Sequence, residues 1–197
     1  GWAQGNNDRK DLHLLIKAFC EEFSPTEEVK LLVKINNAYQ HPNFDYNQAL
    51  HALVPSSHAE LVFNSETVKT EVMPYLYAQA DVFCCISRAE AFGLTYLEAM
   101  ACGLPCIATK YSGYLDFLND ENSWLIDGEM KPATDQNPLY EGINWCFTNV
   151  NSVRKALRNA FQNKDLVAQK AKKSLETSQN FTWKISAQKL KKIIEEV

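Results

Sequence analysis

The sequence predicts an α/β fold in which helices cover both faces of a parallel sheet, and two observations carry this prediction. Short apolar stretches alternate with patterns of helical periodicity, as in proteins built from βαβ units. The clearest unit covers residues 82–109, with an apolar strand, a turn at Gly93, a short helix that stops at Gly103, and a second strand from Cys106. Hydrophobic residues make up 46% of the 197 positions and charged residues 22%, which is typical of a globular domain with a core.

The chain before this unit also divides into helices and strands. Residues 1–8 carry no strand pattern, although a doubly wound domain begins with an apolar strand. We therefore expect that the first strand is truncated and that the chain is a fragment of a longer protein. Further on we predict a helix capped by Asp8 and reaching Phe23, strands over 29–35 and 61–63, and helices over 46–53 and 72–79.

The chain after this unit is expected to hold one more strand and a set of helices. Residues 122–126 are predicted as the strand. Residues 128–142 contain two glycines and two prolines, and we interpret them as a loop, either a flap near a cleft or a packed surface loop. Three helices are predicted to follow, the first capped by Asn151 and ending at Phe161, the others over 164–177 and 183–197.

The turn around Gly93 carries the pattern that points to function. Glu90 and Glu98 have seven residues between them, and Gly93 places the first in a loop and the second in the following helix. Such a loop lies at the carboxyl end of a parallel strand, where open α/β sheets bind ligands. The first amides of the helix, at Leu94 and Thr95, favour an anion. The pattern predicts a ligand with a phosphate for the helix end and hydroxyls for the carboxylates, as in a sugar nucleotide.

The residues of this turn resemble a known signature. The run from Glu90 to Pro105, Glu-Ala-Phe-Gly-Leu-Thr-Tyr-Leu-Glu-Ala-Met-Ala-Cys-Gly-Leu-Pro, resembles the Glu-x7-Glu signature of the retaining glycosyltransferases of GT-B fold, family 4 (glycosyl transferase group 1). The likeness continues through residues 107–118, and residues 9–19 resemble that family's phosphate-lysine helix. It implies a Rossmann-like parallel sheet with helices on both faces, followed by C-terminal helices. This would be one domain over residues 1–197, the donor-binding half of the enzyme, with the N-terminal acceptor domain absent.

The same resemblance implies an activity and roles for particular residues. The enzyme would transfer a sugar from a nucleoside diphosphate donor to a hydroxyl of an acceptor, a glycan or lipid held by the N-terminal domain, in glycan or polysaccharide biosynthesis. Lys10 and Glu90 would be the catalytic pair. The family's arginine lies about five residues before this lysine, where the chain has Gly5, so Arg9 is its candidate substitute. The implied donor-binding set is Arg9, Lys10, Glu90, Phe92, Gly93, Leu94, Thr95 and Glu98, with Glu98 on the ribose.

Each of these residues also has a simpler interpretation. Arg9 and Lys10 could be a solvated pair in the first turn of the first helix, and Glu90 could be an exposed loop residue. Thr95 and Glu98 have the spacing of a capping box. Two alternative functions follow, a sugar-nucleotide epimerase or hydrolase of GT-B type and a non-catalytic sugar-nucleotide-binding module.

Composition limits the partners and the cofactors. The net charge of −4 and pI of 5.6 argue against a nucleic-acid partner. The four histidines have no metal-ligand spacing, and a lysine with a helix end can replace a cation, so we expect no metal and no cofactor. The six cysteines fall mostly within apolar runs and form no C-x-x-C pair, which favours reduced, buried thiols in a cytoplasmic protein. No run of 18 apolar residues is present, so we expect no membrane-spanning helix. The lysines 184, 189, 191 and 192 are expected on a solvated helix face, with a peripheral contact to an anionic membrane as the alternative.

Overall fold

The computed structural model describes residues 9–35, 54, 57–134 and 138–196. The predicted cap Asp8 and the predicted helix 46–53 lie outside these residues. The helices are α1 (Leu12–Glu22), α2 (Met73–Tyr77), α3 (Leu94–Ala101), α4 (Val150–Gln162), α5 (Lys164–Ser178) and α6 (Trp183–Glu195). The strands are β1 (Lys30–Lys34), β2 (Glu60–Asn64), β3 (Phe83–Cys85), β4 (Cys106–Thr109), β5 (Ser123–Ile126), β6 (Glu129–Pro132) and β7 (Asn144–Phe147).

The strands of the main fold are parallel. β1 pairs with β2, so that Lys30 lies opposite Glu60. β3, β4 and β5 form a second sheet in that order, in which Cys106 lies opposite both Phe83 and Ser123. All four residues of the central strand β4 are buried. Because parallel strands point the same way, the loops after β3 and β4 leave the sheet at one edge.

Helices cover both faces of the β3–β5 sheet, as predicted. Successive residues of a strand point to opposite faces. Ile107 accordingly packs with Leu15 of α1 and Val153 of α4 in one buried cluster. Its neighbour Cys106 packs with Tyr96 of α3 in another. The prediction of an α/β fold with helices on both faces is therefore confirmed.

The prediction of a loop over 128–142 is wrong in part. Residues 129–132 form β6, which pairs antiparallel with β7, with Met130 opposite Cys146. All four residues of β6 are exposed and the strand ends at Pro132, so the segment lacks the apolar run that predicts a buried strand. Only the pairing with β7 makes this segment a strand.

Two helix starts also differ from the predictions. The cap of α4 is Asn149 rather than Asn151, and its side chain accepts a hydrogen bond of 2.9 Å from the amide of Ser152. α1 begins at Leu12, so Arg9 and Lys10 precede the helix instead of forming its first turn. This correction matters for the site, because it places both cations in a turn that faces the loop after β3.

Candidate functional site

The loops after β3 and β4 are joined to each other at the carboxyl edge of the sheet. The amide of Glu90 donates a hydrogen bond of 3.0 Å to Oγ of Ser112. A Cβ at Gly113 would lie only 1.9 Å from the carbonyl oxygen of Ala91, so a glycine is required at this close approach. Ser112 itself has a φ of 90°, a backbone conformation that clusters at functional sites. The two loops therefore form one tightly packed surface.

Glu90 is the centre of a charged cluster on this surface. Lys10 Nζ donates to its Oε1, and Arg9 Nη1 lies 3.2 Å from its Oε2. Ser87 Oγ donates a hydrogen bond of 3.0 Å to Oε1, and Arg9 also donates to the carbonyl of Ala89. The Glu90 side chain is only 11% exposed. Glu90 is therefore not an exposed loop residue, and Arg9 with Lys10 is not merely a solvated pair.

The cluster controls the ionisation of Glu90. Burial alone would raise the pKa of the Glu90 carboxyl, but the hydrogen bond and charge of Lys10, with Arg9 and Ser87, outweigh it and lower that pKa. Burial would lower the pKa of the Arg9 guanidinium, but Glu90 outweighs it and raises that pKa, with a smaller contribution from Tyr140. At neutral pH the site holds one carboxylate between two cations.

Sequence reasoning missed a second, buried ion pair behind this cluster. Arg88 donates from Nε and Nη2 to the two carboxylate oxygens of Asp11, at 3.0 and 2.7 Å. Asp11 is 3% and Arg88 8% exposed, and Asp11 has a φ of 52° just before α1. The available signals were an arginine two residues after the apolar stretch 82–86 and an aspartate directly before the helical pattern that starts at Leu12, but neither shows that the two residues meet.

The amino end of α3 is open toward the same surface. Gly93 precedes the helix with a φ of 88°, and a Cβ there would lie 3.0 to 3.1 Å from the side chains of Tyr96 and Tyr114. Within the described residues, no side chain caps this end of the helix. The amides of Leu94 and Thr95 are among those without a partner inside a helix. They are thus positioned to donate to an anion.

Phe92 lines the loop next to this helix end. Its side chain is 39% exposed, and its ring centroid lies 5.3 Å from that of the buried Phe117. The aromatic contact holds the loop against the core while one face of Phe92 stays open to a ligand.

Glu98 does not form the capping box that was the simpler interpretation of its spacing from Thr95. Gly93, not Thr95, caps α3, and the Glu98 carboxylate instead accepts a hydrogen bond of 3.0 Å from the hydroxyl of Tyr77 in α2. Burial raises the pKa of the Tyr77 hydroxyl, and the charge of Glu98 raises it further, so Tyr77 stays a donor. Sequence reasoning missed Tyr77, because nothing in its own helix marks it. The carboxylate itself is on the exposed side of α3.

Metal-ligand clusters, helices able to span a membrane and disulfides are all absent from the described part of the chain. Residues 9–35, 54, 57–134 and 138–196 contain no group of three or more His, Cys, Asp or Glu side chains that could hold a metal ion. Over the same ranges, no helix combines the length and apolar character that crossing a bilayer requires. All six cysteines are free thiols.

Fold and site together define a class of domain. A parallel α/β sheet has a lysine–glutamate cluster and an open helix end at the carboxyl edge of its strands, which is the edge where open α/β sheets bind ligands. The chain belongs to the glycosyl transferases group 1, whose family profile matches residues 7–164. The predicted membership in glycosyl transferase group 1 is therefore confirmed.

Two curated relatives illustrate the similarity in sequence. The N-acetyl-alpha-D-glucosaminyl L-malate synthase of Bacillus anthracis is 47% identical over 70 residues, which cover 34% of this chain and 18% of that protein. The sucrose-phosphate synthase of Zea mays is 28% identical over 168 residues, which cover 79% of this chain and 15% of that protein.

Two solved structures illustrate the similarity in fold. Anabaena HepE in complex with UDP-glucose matches with a TM-score of 0.69 at 19% identity, over 96% of this chain and 46% of HepE. The C-terminal domain of a glycosyl transferase group 1 family protein from Francisella tularensis matches with a TM-score of 0.60 at 17% identity, over 87% of this chain and 79% of that one. The chain thus spans less than half of HepE and less than a fifth of either curated relative.

Proposed function

We propose that this chain is the donor-binding domain of a retaining, family-4 glycosyltransferase. The whole enzyme would transfer the glycosyl group of a nucleoside diphosphate sugar to a hydroxyl of a glycan or lipid, in glycan or polysaccharide biosynthesis. One observation carries the proposal: Lys10 and Arg9 meet Glu90 beside the open amino end of α3. This juxtaposition offers cations and amides to a diphosphate and a carboxylate to the adjoining sugar.

The cations and the helix end serve the leaving group in this proposal. Negative charge develops on the diphosphate as the glycosidic bond breaks, and donors that are already aimed at that charge lower the barrier. Lys10, Arg9 and the amides of Leu94 and Thr95 supply such donors. They make the reaction independent of a metal, and the leaving phosphate accepts the proton of the acceptor hydroxyl.

The two glutamates serve the sugars. Glu98 accepts hydrogen bonds from the ribose hydroxyls, and Tyr77, which donates to Oε2, fixes its orientation. A carboxylate has about four acceptor positions, so one bond from Tyr77 leaves capacity for two hydroxyls. Glu90, with the backbone at Phe92 and Gly93, positions the donor sugar.

The acceptor site belongs to a part of the protein outside this chain in this proposal. This domain by itself then binds donor without efficient transfer, in the cytoplasm. Exposed apolar side chains of α6, at Trp183, Leu190, Ile193 and Ile194, lie on the same helix as Lys189 and Lys192. They would support a peripheral contact with an anionic membrane, where a lipid acceptor resides.

A nucleotide panel tests the donor site. The chain is melted in the presence of UDP, GDP, ADP and their sugar conjugates. A ligand at about 100 times its Kd stabilises the folded state by about 2.7 kcal/mol. For a domain of this size that raises the Tm by about 5 to 10 °C. We expect one nucleotide to stand out and its effect to shrink in Glu98→Ala.

The absence of a shift with every nucleotide would contradict the proposal. A shift that is equally large in Glu90→Ala and Glu98→Ala would place the ligand elsewhere and favour a non-catalytic module. Products are also analysed without acceptor, because release or epimerisation of the sugar under those conditions identifies a donor-only enzyme instead of a transferase.

A further inference from the structure

Arg88 contacts two segments that are distant from it in sequence, the turn before α1 and the strand β7. Its guanidinium makes two hydrogen bonds to Asp11, at 3.0 and 2.7 Å, and both side chains are buried. Two parallel bonds from a planar guanidinium fix both the distance and the orientation of the partner carboxylate. The side-chain pair therefore locks the turn before α1 to the loop after β3.

The backbone of Arg88 repeats this connection and adds a third segment. Its amide donates a hydrogen bond of 2.8 Å to the carbonyl of Arg9, and its carbonyl accepts one of 2.9 Å from the amide of Cys146 in β7. The ring of Phe147 lies 4.5 Å from the guanidinium carbon. The β6–β7 hairpin, which lies outside the parallel sheets, thus supports Arg88 from the other side.

Each member of the ion pair is close in sequence to one member of the predicted catalytic pair. Lys10 immediately precedes Asp11, and Glu90 follows Arg88 by two residues. Asp11 occupies the left-handed region, with a φ of 52° and a ψ of 35°. A residue other than glycine stays in that region when its surroundings hold it there, and here the carboxylate is held by Arg88.

We propose that the Arg88–Asp11 pair is a positioning element that sets the spacing between the Lys10 ammonium and the Glu90 carboxylate. Neither residue touches the ligand in this role. Arg88 fixes Asp11, Asp11 fixes the turn that carries Arg9 and Lys10, and that turn presents its cations to Glu90. The inference deepens the proposed function, and it rests on that function only where nucleotide binding is measured.

The first test compares two arginine-to-lysine variants. Arg88→Lys keeps the charge but loses the planar two-bond geometry. Arg158→Lys is the matched control, because Arg158 also binds carboxylates, at 2.6 Å to Glu22 and 2.5 Å to Glu27, but at the carboxyl end of α1. The readout is a ¹³C NMR titration of the Glu90 carboxyl, assigned with Glu90→Gln. We expect its pKa to rise toward the ordinary range in Arg88→Lys and to stay unchanged in Arg158→Lys.

Asp11→Asn is a second variant, and the sign of its effect is decisive. It preserves the shape of the side chain, so it keeps the inference testable if Arg88→Lys fails to fold. Removal of a nearby negative charge by itself lowers the pKa of another carboxyl. Loss of positioning moves Lys10 and Arg9 away from Glu90 and raises that pKa. A rise in folded Asp11→Asn supports the inference, whereas an unchanged or lowered Glu90 pKa overturns it.

Nucleotide affinity provides the second readout, with UDP, GDP and ADP as probes in calorimetry. We expect binding about tenfold weaker or worse in Arg88→Lys, since small misplacements of binding groups have large effects, and unchanged in Arg158→Lys. If the wild type binds none of the three while the Glu90 titration moves as expected, the positioning role stands and the proposed function falls. If nucleotide binds but the Glu90 titration is the same in wild type and Arg88→Lys, the positioning role is overturned.

Discussion

Arginines bind carboxylates at both ends of α1, yet the two clusters have different roles. At the amino end Arg88 binds Asp11 and neighbours the cluster of Lys10 with Glu90. At the carboxyl end Arg158 and Arg154 bind glutamates, chiefly Glu22. Both clusters pair arginine with carboxylates, and they differ in the segments that surround them.

The carboxyl-end cluster joins two helices. Arg158 lies over the rings of Phe23 and Phe161, at 4.6 and 5.6 Å, and ties α1 to α4. Its carboxylate partners Glu22 and Glu27 have side chains 14% and 26% exposed. Because water still reaches these groups, the cluster stabilises a helix contact without enclosing a ligand site.

The amino-end cluster joins two loops instead. The Arg88 and Asp11 side chains are 10% and 4% exposed, and they connect the loop after β3, at the carboxyl edge of the sheet, to the turn before α1. An ion pair can support a site when it is buried between segments that themselves carry candidate ligand-binding groups.

The largest expected difference between the clusters is in stability. Breaking a buried ion pair by removing one partner costs about 3 to 5 kcal/mol, because the remaining charge is left without compensation. We expect Arg88→Ala to lose about that much free energy of unfolding in urea denaturation. Arg158→Ala should lose less, since Glu22 and Glu27 can be solvated. Equal losses would mean that burial does not distinguish the two clusters.

Two lysines, one before the start of α1 and one within it, test whether nucleotide binding depends on the site or on the charge of the surface. Lys10→Ala removes a donor to the proposed diphosphate, and hydrogen bonds to charged groups contribute about 1.5 to 3 kcal/mol. We expect nucleotide binding to weaken about 10- to 100-fold in calorimetry. Lys17→Ala is the control, because the ion pair of Lys17 is an exposed contact of 3.9 Å with Glu21 on the same helix. A similar loss in both variants would indicate general electrostatic attraction and not a site.

The hydroxyl of Tyr77 is expected to have a smaller effect on the same binding. Tyr77→Phe removes the hydrogen bond that orients Glu98 but removes no donor to the nucleotide itself, so we expect binding to lose only about 0.5 to 1.5 kcal/mol. We expect nucleotide affinity to fall about two- to tenfold as the carboxylate loses its orientation. Tyr75→Phe is the matched control, because Tyr75 is 73% exposed on the same helix. Unchanged affinity in Tyr77→Phe would remove Tyr77 from the site.

The smallest expected effect concerns acid stability at the carboxyl end of α1. The hydrogen bond from Arg158 lowers the pKa of Glu27 to about 2, from an ordinary 4.5. A lowered pKa in the folded state contributes stability that is complete above the unfolded value and is lost as pH falls through the folded value. The difference in Tm between wild type and Arg158→Gln should therefore be constant above pH 4.5 and shrink toward pH 2. A difference independent of pH would contradict the assignment.

Local patterns determined much of this protein. Apolar stretches predicted β1 to β5, and helical periodicity with Gly–Pro stops predicted the helices that cover them, because these elements satisfy their own backbone or bury a continuous face. The run from Glu90 to Glu98 identified the family and the edge of the sheet that carries the site. Each of these features depends on residues that are close together in the sequence.

Tertiary structure alone decided the contacts between distant residues. Arg88 meets Asp11 across 77 positions and Tyr77 meets Glu98 across 21, and no local pattern shows that the members of either pair meet. The exposed strand β6 exists because β7 pairs with it. The physical reason is that a buried polar group needs a hydrogen-bond partner, and the fold decides which residue is near enough to be that partner. The fold depends on the packing of the whole core and not on the sequence around that group.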